Sequence, residues 1–184
     1  MAALIPSASA TGSGTMTLAG PSTNSNQTVN IPDATGTMMV SGNMPAFSAY
    51  RGSTQSVSSS TFTKVQINTE EFDTNNCFDS TTNYRFTPTV AGYYQLNGSI
   101  STEDSGGAVT RFMTVFYKNG SAFKRGVDVQ VAAGIGYQSI VSALIYFNGT
   151  TDYVELYAYI AGISPAIRGD LVNTYFQASM ARAA

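Results

Sequence analysis

The chain has 184 residues, room for one domain with its own core plus a terminal segment, and too few for two full domains. Charged side chains make up only 11 % of it, against roughly 25 % in ordinary globular proteins, so its surface must be drawn mainly from Ser, Thr, Asn and Gln. Nine basic and eleven acidic residues, no His and a net charge of −2 leave no basic footprint for nucleic acid and no imidazole for a serine triad or a His-ligated zinc.

The first residues, Met1-Ala2-Ala3-Leu4-Ile5-Pro6, hold no basic side chain and no long apolar run, so no secretory signal peptide is expected. No stretch approaches the roughly eighteen apolar residues of a membrane span, and membrane insertion is not expected. Up to residue 50 the only side chain charged at neutral pH is Asp33, and the first basic residue is Arg51. That break divides an N-terminal arm, residues 1–44, from a head, residues 45–184. The arm is rich in Ser, Thr, Asn and Gly, yet it carries a weak repeat with a spacing of 22 residues, Gly14-Thr15-Met16-Thr17-Leu18 beside Gly36-Thr37-Met38-Met39-Val40. Each half reads as a short β segment, and the turn Pro32-Asp33-Ala34-Thr35-Gly36 separates the second half from Val29 and Ile31. Strands this short bury little alone, so Met16, Leu18, Val29, Ile31, Met38 and Val40 are the candidate anchor, ordered by pairing with sister chains or a docking partner.

From Pro45 onward, short alternating segments follow one another with Gly, Pro or Asn punctuation and no helical period, which predicts an all-β domain. The expected strands are 46–51, 62–68, 84–87, 92–101, 109–118, 123–131, 136–147, 152–160 and 172–182. Asn119-Gly120 and Asn148-Gly149 follow long apolar strands and are expected as hairpin turns; Asn97-Gly98 offers either a turn or a bulge. Between Tyr153 and Ile160 the two faces differ. Val154, Leu156, Ala158 and Ile160 suit the core, while Tyr153, Tyr157 and Tyr159 form an opposite row too apolar to be left in water. These three tyrosines are the candidate trimer interface.

Phe47-Ser48-Ala49-Tyr50-Arg51, then Phe72-Asp73 and Phe78-Asp79, then Phe86, Gly92 and Tyr94, and finally Asn119-Gly120, Asp152-Tyr153-Val154-Glu155-Leu156 and Phe176 follow in order and spacing a pattern that resembles the globular head of the complement q-subunit family, within the wider tumour-necrosis-factor-like jelly rolls. Phe78 stands where that family usually has Tyr, Thr151 where it has Gly, and Gln177-Ala178 where it has Ser-Gly. No collagen stalk is present, since nothing has Gly at every third position. The wording of the arm, with Ile31-Pro32-Asp33-Ala34-Thr35-Gly36-Thr37, resembles segments found near fibre and appendage proteins of tailed bacteriophages. Together the resemblances imply a jelly-roll sandwich head, a homotrimer, and a structural protein exposed on a virion. The arm would contact other virion proteins and the head a host surface glycan or protein; the alternative is a capsid head fibre or decoration protein.

Catalytic chemistry is poorly supported. Cys77 has no imidazole partner, and the carboxylates at Glu70, Glu71, Asp73 and at Glu103, Asp104 sit beside Asn and Gly as loop acids do. A polysaccharide depolymerase working through Glu103 and Asp104 is the minority reading. Asp73-Thr74-Asn75-Asn76-Cys77-Phe78-Asp79 spaces oxygen ligands as a hard cation would require, but Tyr84 stands where a calcium loop has its closing Glu, so the segment reads as a turn with Asx capping. No catalytic residue, metal or cofactor is expected.

Overall fold

The computed structural model describes residues 22, 39, 40, 42, 44–103, 109–134 and 136–184. The chain divides into two units, Met1–Gly36 and Thr37–Ala184, and the architecture below is that of the second. Five of its strands are long: β7 Gly92–Ser101, β8 Val109–Lys118, β11 Gln138–Phe147, β12 Val154–Gly162 and β14 Tyr175–Ala183. The shorter ones are β1 Ala46–Tyr50, β2 Gln55–Ser56, β3 Thr61–Lys64, β4 Thr69–Asp73, β5 Phe78–Asp79, β6 Arg85–Phe86, β9 Ser121–Arg125, β10 Val129–Gly134 and β13 Ala166–Ile167.

These strands build two antiparallel sheets. One has the order β11-β7-β14-β1-β4; the other runs β10-β8-β12-β6-β5, with β3 also paired to β12 and β9 to β8. A two-stranded piece, β13 on β2, closes one corner. The inward faces alternate as the sequence predicts. Val154, Leu156, Ala158 and Ile160 of β12 are buried against Phe47, Leu96, Ile100, Val141, Ile145 and Phe176. Rings dominate the centre: Phe47 stacks on Phe78 at 4.4 Å between centroids and meets Phe176 edge-on at 5.0 Å, and Phe86 meets Tyr94 and Phe147 at 5.5 and 5.6 Å. Each such ring removes 150–250 Å² or so from water and adds roughly 0.5–1.5 kcal/mol per well-oriented pair. The Tyr94 hydroxyl, the polar atom carried into this core, donates to the Val90 carbonyl at 2.7 Å.

Four sequence expectations are corrected. The expected strand 62–68 ends at Lys64, because the chain leaves β3 there and changes sheet before β4 begins at Thr69; the Gln55 side chain brackets that crossing, donating to the Lys64 carbonyl and accepting from the Gln66 N–H. The expected strand 123–131 breaks at Gly126, whose backbone lies so close to the Ile140 carbonyl that a Cβ would stand 2.2 Å from its oxygen. Asn97-Gly98 is neither turn nor bulge. It lies in unbroken register inside β7, and its glycine lets the sheets approach, since a Cβ there would stand 2.5 Å from Leu156 Cδ1. Asn148-Gly149 makes a turn but not a hairpin, because β11 and β12 belong to different sheets. The Asn148 carboxamide oxygen accepts the N–H groups of Thr150, Thr151 and Asp152 and folds that connection. Asn119-Gly120 is the expected hairpin turn, with φ of 51° and 79° at its two residues, the left-handed pair a two-residue type I′ loop requires.

Candidate binding and assembly surfaces

The outward face of the five-stranded sheet has a polar middle and apolar margins. Across the middle, Gln95 Nε2 donates to Ser142 Oγ at 2.9 Å, which donates on to Asn97 Oδ1 at 2.8 Å; Gln177 Nε2 donates to Ser48 Oγ, and Ser48 to Glu71 Oε2. Along β11, Ile140, Leu144 and Tyr146 stand out from this surface, with Tyr93 of β7 beside Tyr146 at 5.4 Å between rings. At the opposite margin β1 and β4 shift register around Glu71. That irregularity sets both Glu71 and Phe72 against a groove of about 390 Å³ floored by Ser48, Asn97 and Gln177. Ile140, Leu144, Tyr146, Tyr93 and Phe72 are between 39 and 56 % exposed, so large apolar side chains flank this one face in a single chain.

The tyrosine row belongs to the other sheet. Register places Tyr157 between Val115 of β8 and Lys64 of β3, and Tyr159 between Met113 and Phe62. Tyr117 and Tyr157 stack at 3.9 Å and 18°, and Phe62 leans on Tyr159 at 5.1 Å and on Tyr117 at 6.1 Å. The side chains alongside them in the register, Met113 and Val115, are each only 1 % exposed although they point away from the main core. The rings of Tyr157 and Tyr159 form a second apolar layer beside them and are half-buried within one chain, while Tyr153, at the other end of the row, is half-buried under Arg85. Burial first, then the neighbouring Glu155, pushes the Tyr157 phenol up. Glu155 is itself buried between these tyrosines and is neutralised by Lys64 at 2.5 Å.

Basic residues rim this aromatic layer. Arg111 grips Asp128 with two parallel hydrogen bonds, Nε to Oδ1 at 2.9 Å and Nη2 to Oδ2 at 2.6 Å, while also lying over the Tyr159 ring. Arg85 lies over Tyr153 at 4.4 Å, Arg125 over Phe62 at 5.9 Å and Lys124 over Phe123 at 5.3 Å. Lys118 is held by Asp152 at 3.0 Å. Partial burial pushes the Asp152 carboxyl up, but hydrogen bonds from Asn119, Lys118 and the Asn148 N–H outweigh that and leave it below the usual range.

The acidic residues singled out in the sequence are engaged locally. Asp73 accepts the N–H groups of Asn75 and Phe78, which is Asx capping of that turn. Asp79 accepts from the N–H groups of Thr81, Thr82 and Asn83 and from the Asn83 carboxamide; the Thr82 bond leads in holding its carboxyl far below the usual range. Glu70 accepts from Ser80 and Glu103 from Thr54, whereas Asp104 lies outside the described residues. Among the described residues no three acidic or Cys side chains gather to hold a metal ion. Cys77 is buried, and that burial raises its thiol pKa. Of the candidate anchor, Met16, Leu18, Val29, Ile31 and Met38 lie outside the described residues and Val40 is exposed. Sequence reading missed Phe72, Ile140, Leu144 and Phe123. The β11 pair had a signal, alternation with Val141, Ala143 and Ile145, which are apolar on the opposite face.

The sequence matches no protein-family model and no curated protein. Solved structures do match. Murine APRIL has a TM-score of 0.56 at 10 % identity, over 74 % of this chain and 98 % of that one. The Eiger tumour necrosis factor of S. frugiperda has 0.57 at 9 % identity, over 77 and 93 %. The globular domain of zebrafish complement 1qA has 0.50 at 16 % identity, over 76 and 98 %. The fold is a tumour-necrosis-factor-like jelly roll. At these identities the likeness is one of architecture.

Proposed function

We propose that this protein is a non-enzymatic structural component of a tailed-phage particle, a homotrimeric fibre or spike whose arm, residues 1–44, attaches to other virion proteins and whose head adheres to the host surface. The observation that carries the reading is the face of the five-stranded sheet that no other described residue covers. An exposed stripe of Ile140, Leu144 and Tyr146 at one margin and a groove beside Phe72 at the other are different surfaces, so a contact of one with the other between copies is heterologous, and with a threefold rotation it closes into a ring. Exposed apolar patches rimmed by polar groups mark such contacts. Tyr153, Tyr157 and Tyr159 are the second candidate for the interface. They are favoured less because Tyr157 and Tyr159 already pack beside Val115 and Met113 and Tyr153 under Arg85 in one chain, whereas nothing among the described residues covers Leu144. The virion setting rests on the wording of the arm.

Electron microscopy of particles labelled with antibody against residues 45–184 tests the placement. Label on tail fibres or tail tip is the expected result. Label scattered over the capsid would make the protein a head fibre or decoration, and unlabelled particles would contradict the virion reading.

A further inference from the structure

The chain holds three Asn-Gly dipeptides in near-identical local sequence: Asn97-Gly98-Ser99, Asn119-Gly120-Ser121 and Asn148-Gly149-Thr150. Glycine has no Cβ to shield its nitrogen, so that nitrogen can attack the asparagine Cγ. The new N–Cγ bond closes a succinimide as ammonia leaves, and water then opens the ring to aspartate or isoaspartate. The fold restrains the three pairs unequally. Gly98 is paired on both sides, to Val141 of β11 and to Phe176 of β14. The Asn148 carboxamide accepts the N–H groups of Thr150, Thr151 and Asp152 and donates to Thr151 Oγ1 at 2.8 Å. Gly149 fits so closely on Ala91 that a Cβ would stand 2.4 Å from its nitrogen. The Asn119 carboxamide is held by two bonds, both reaching across to the β11–β12 connection: Oδ1 accepts the Tyr153 N–H at 3.0 Å and Nδ2 donates to Asp152 Oδ1 at 2.8 Å. The second oxygen of Asp152 accepts the Asn148 N–H at 3.1 Å and pairs with Lys118 at 3.0 Å. Asn119 and Gly120 are exposed, so water reaches them.

We infer that Asn119-Gly120 is the first site of spontaneous deamidation in the head and that Asp152 is the group that restrains it. The Gly120 nitrogen can reach Asn119 Cγ only when the carboxamide has swung away from both partners, so the rate follows the fraction of time this turn stands open. Of the two bonds, the one to Asp152 is charge-assisted and the stronger. It also ties the turn to Lys118 and Asn148 through the other carboxylate oxygen. The product does not fit the place it is made in. A carboxylate oxygen in the Nδ2 position has no hydrogen to donate and stands within contact of Asp152, where two ionised carboxylates repel. Isoaspartate also adds a methylene to the backbone of a type I′ turn whose φ angles, 51° and 79°, suit the unmodified pair. Deamidation at Asn119 therefore opens the β8–β9 hairpin and, being irreversible, keeps it open. The inference goes beyond the proposed function and holds wherever the protein acts.

The test follows each dipeptide by peptide mass spectrometry, with isoaspartate content as a second reading, while the purified full chain is incubated in mildly alkaline buffer. Unfolded in urea, the three should deamidate at similar rates, because their local sequences match. In the folded chain Asn119 should be lost first, Asn148 later and Asn97 last. Asp152→Ala should speed the loss at Asn119 about tenfold or more, the factor implied by removing a hydrogen bond to a charged group. Asn97 should stay intact in that variant and so report that the sheets remain folded. Asp152→Asn keeps an acceptor oxygen and should lose Asn119 more slowly than Asp152→Ala. Loss of Asn97 or Asn148 before Asn119 in the unaltered folded chain overturns the inference without recourse to a variant. So does an unchanged Asn119 rate in Asp152→Ala, or equal acceleration of Asn119 and Asn97 there, which assigns the effect to unfolding of the whole head.

Discussion

Gly98 packs directly against side chains of the facing sheet: an added Cβ would stand 2.5 Å from Leu156 Cδ1 and 3.0 Å from Phe116 Cε1, so one of them would have to shift. Gly98→Val should therefore destabilise the fold by about 1–3 kcal/mol, read as a lowered urea midpoint; unchanged stability would mean that the sheets part without cost. The same dipeptide has three outcomes in this chain. Asn119-Gly120 is a type I′ turn, Asn148-Gly149 folds a crossover between sheets and Asn97-Gly98 is a flat strand interior. Local chemistry licenses the turn; the tertiary partner decides whether it forms. Asp79 supplies a second residue-level prediction. Its folded carboxyl titrates well below the unfolded value of about 3.9, so the stability it contributes is present above that value and is lost as pH falls below it. With no His in the chain, thermal stability should be flat from about pH 6 to 8. It should then fall on acidification below about pH 4, and less steeply in Asp79→Asn; equal steepness in the variant would remove Asp79 from the account.

At the scale of elements, β12 organises the head because both of its faces are used. Its aliphatic side closes the main core and its tyrosine side builds the outer layer over Met113 and Val115. Tyr157→Ala should cost about 1–3 kcal/mol through loss of the Tyr117 stack and exposure of Val115, measured by denaturant unfolding of a variant that keeps its oligomeric state. Destabilisation accompanied by dissociation would instead favour the tyrosines as the interface. The long strands β7, β8, β11, β12 and β14 were legible from alternation alone, since ten or so residues of period two admit few other readings. The two-residue pieces β2, β5 and β13 were not: each has one or two ladder partners and no period to detect. Nor was the break at Gly126, which depends on the distant carbonyl of Ile140. The row of tyrosines was legible as a face, but its partner was not, because the residues it covers lie on a neighbouring strand.

For the whole molecule, two layers of sheet pack around a ring-filled centre, and the five-stranded sheet leaves large apolar side chains exposed on its outer face. The proposed function turns on association of copies through the stripe of Ile140, Leu144 and Tyr146. Multi-angle light scattering of the full chain at micromolar concentration measures it most directly. The account predicts three times the 19.4 kDa of one chain for the unaltered protein and a folded monomer for Leu144→Glu. A monomeric unaltered protein, or a Leu144→Glu chain that stays fully trimeric, would contradict it.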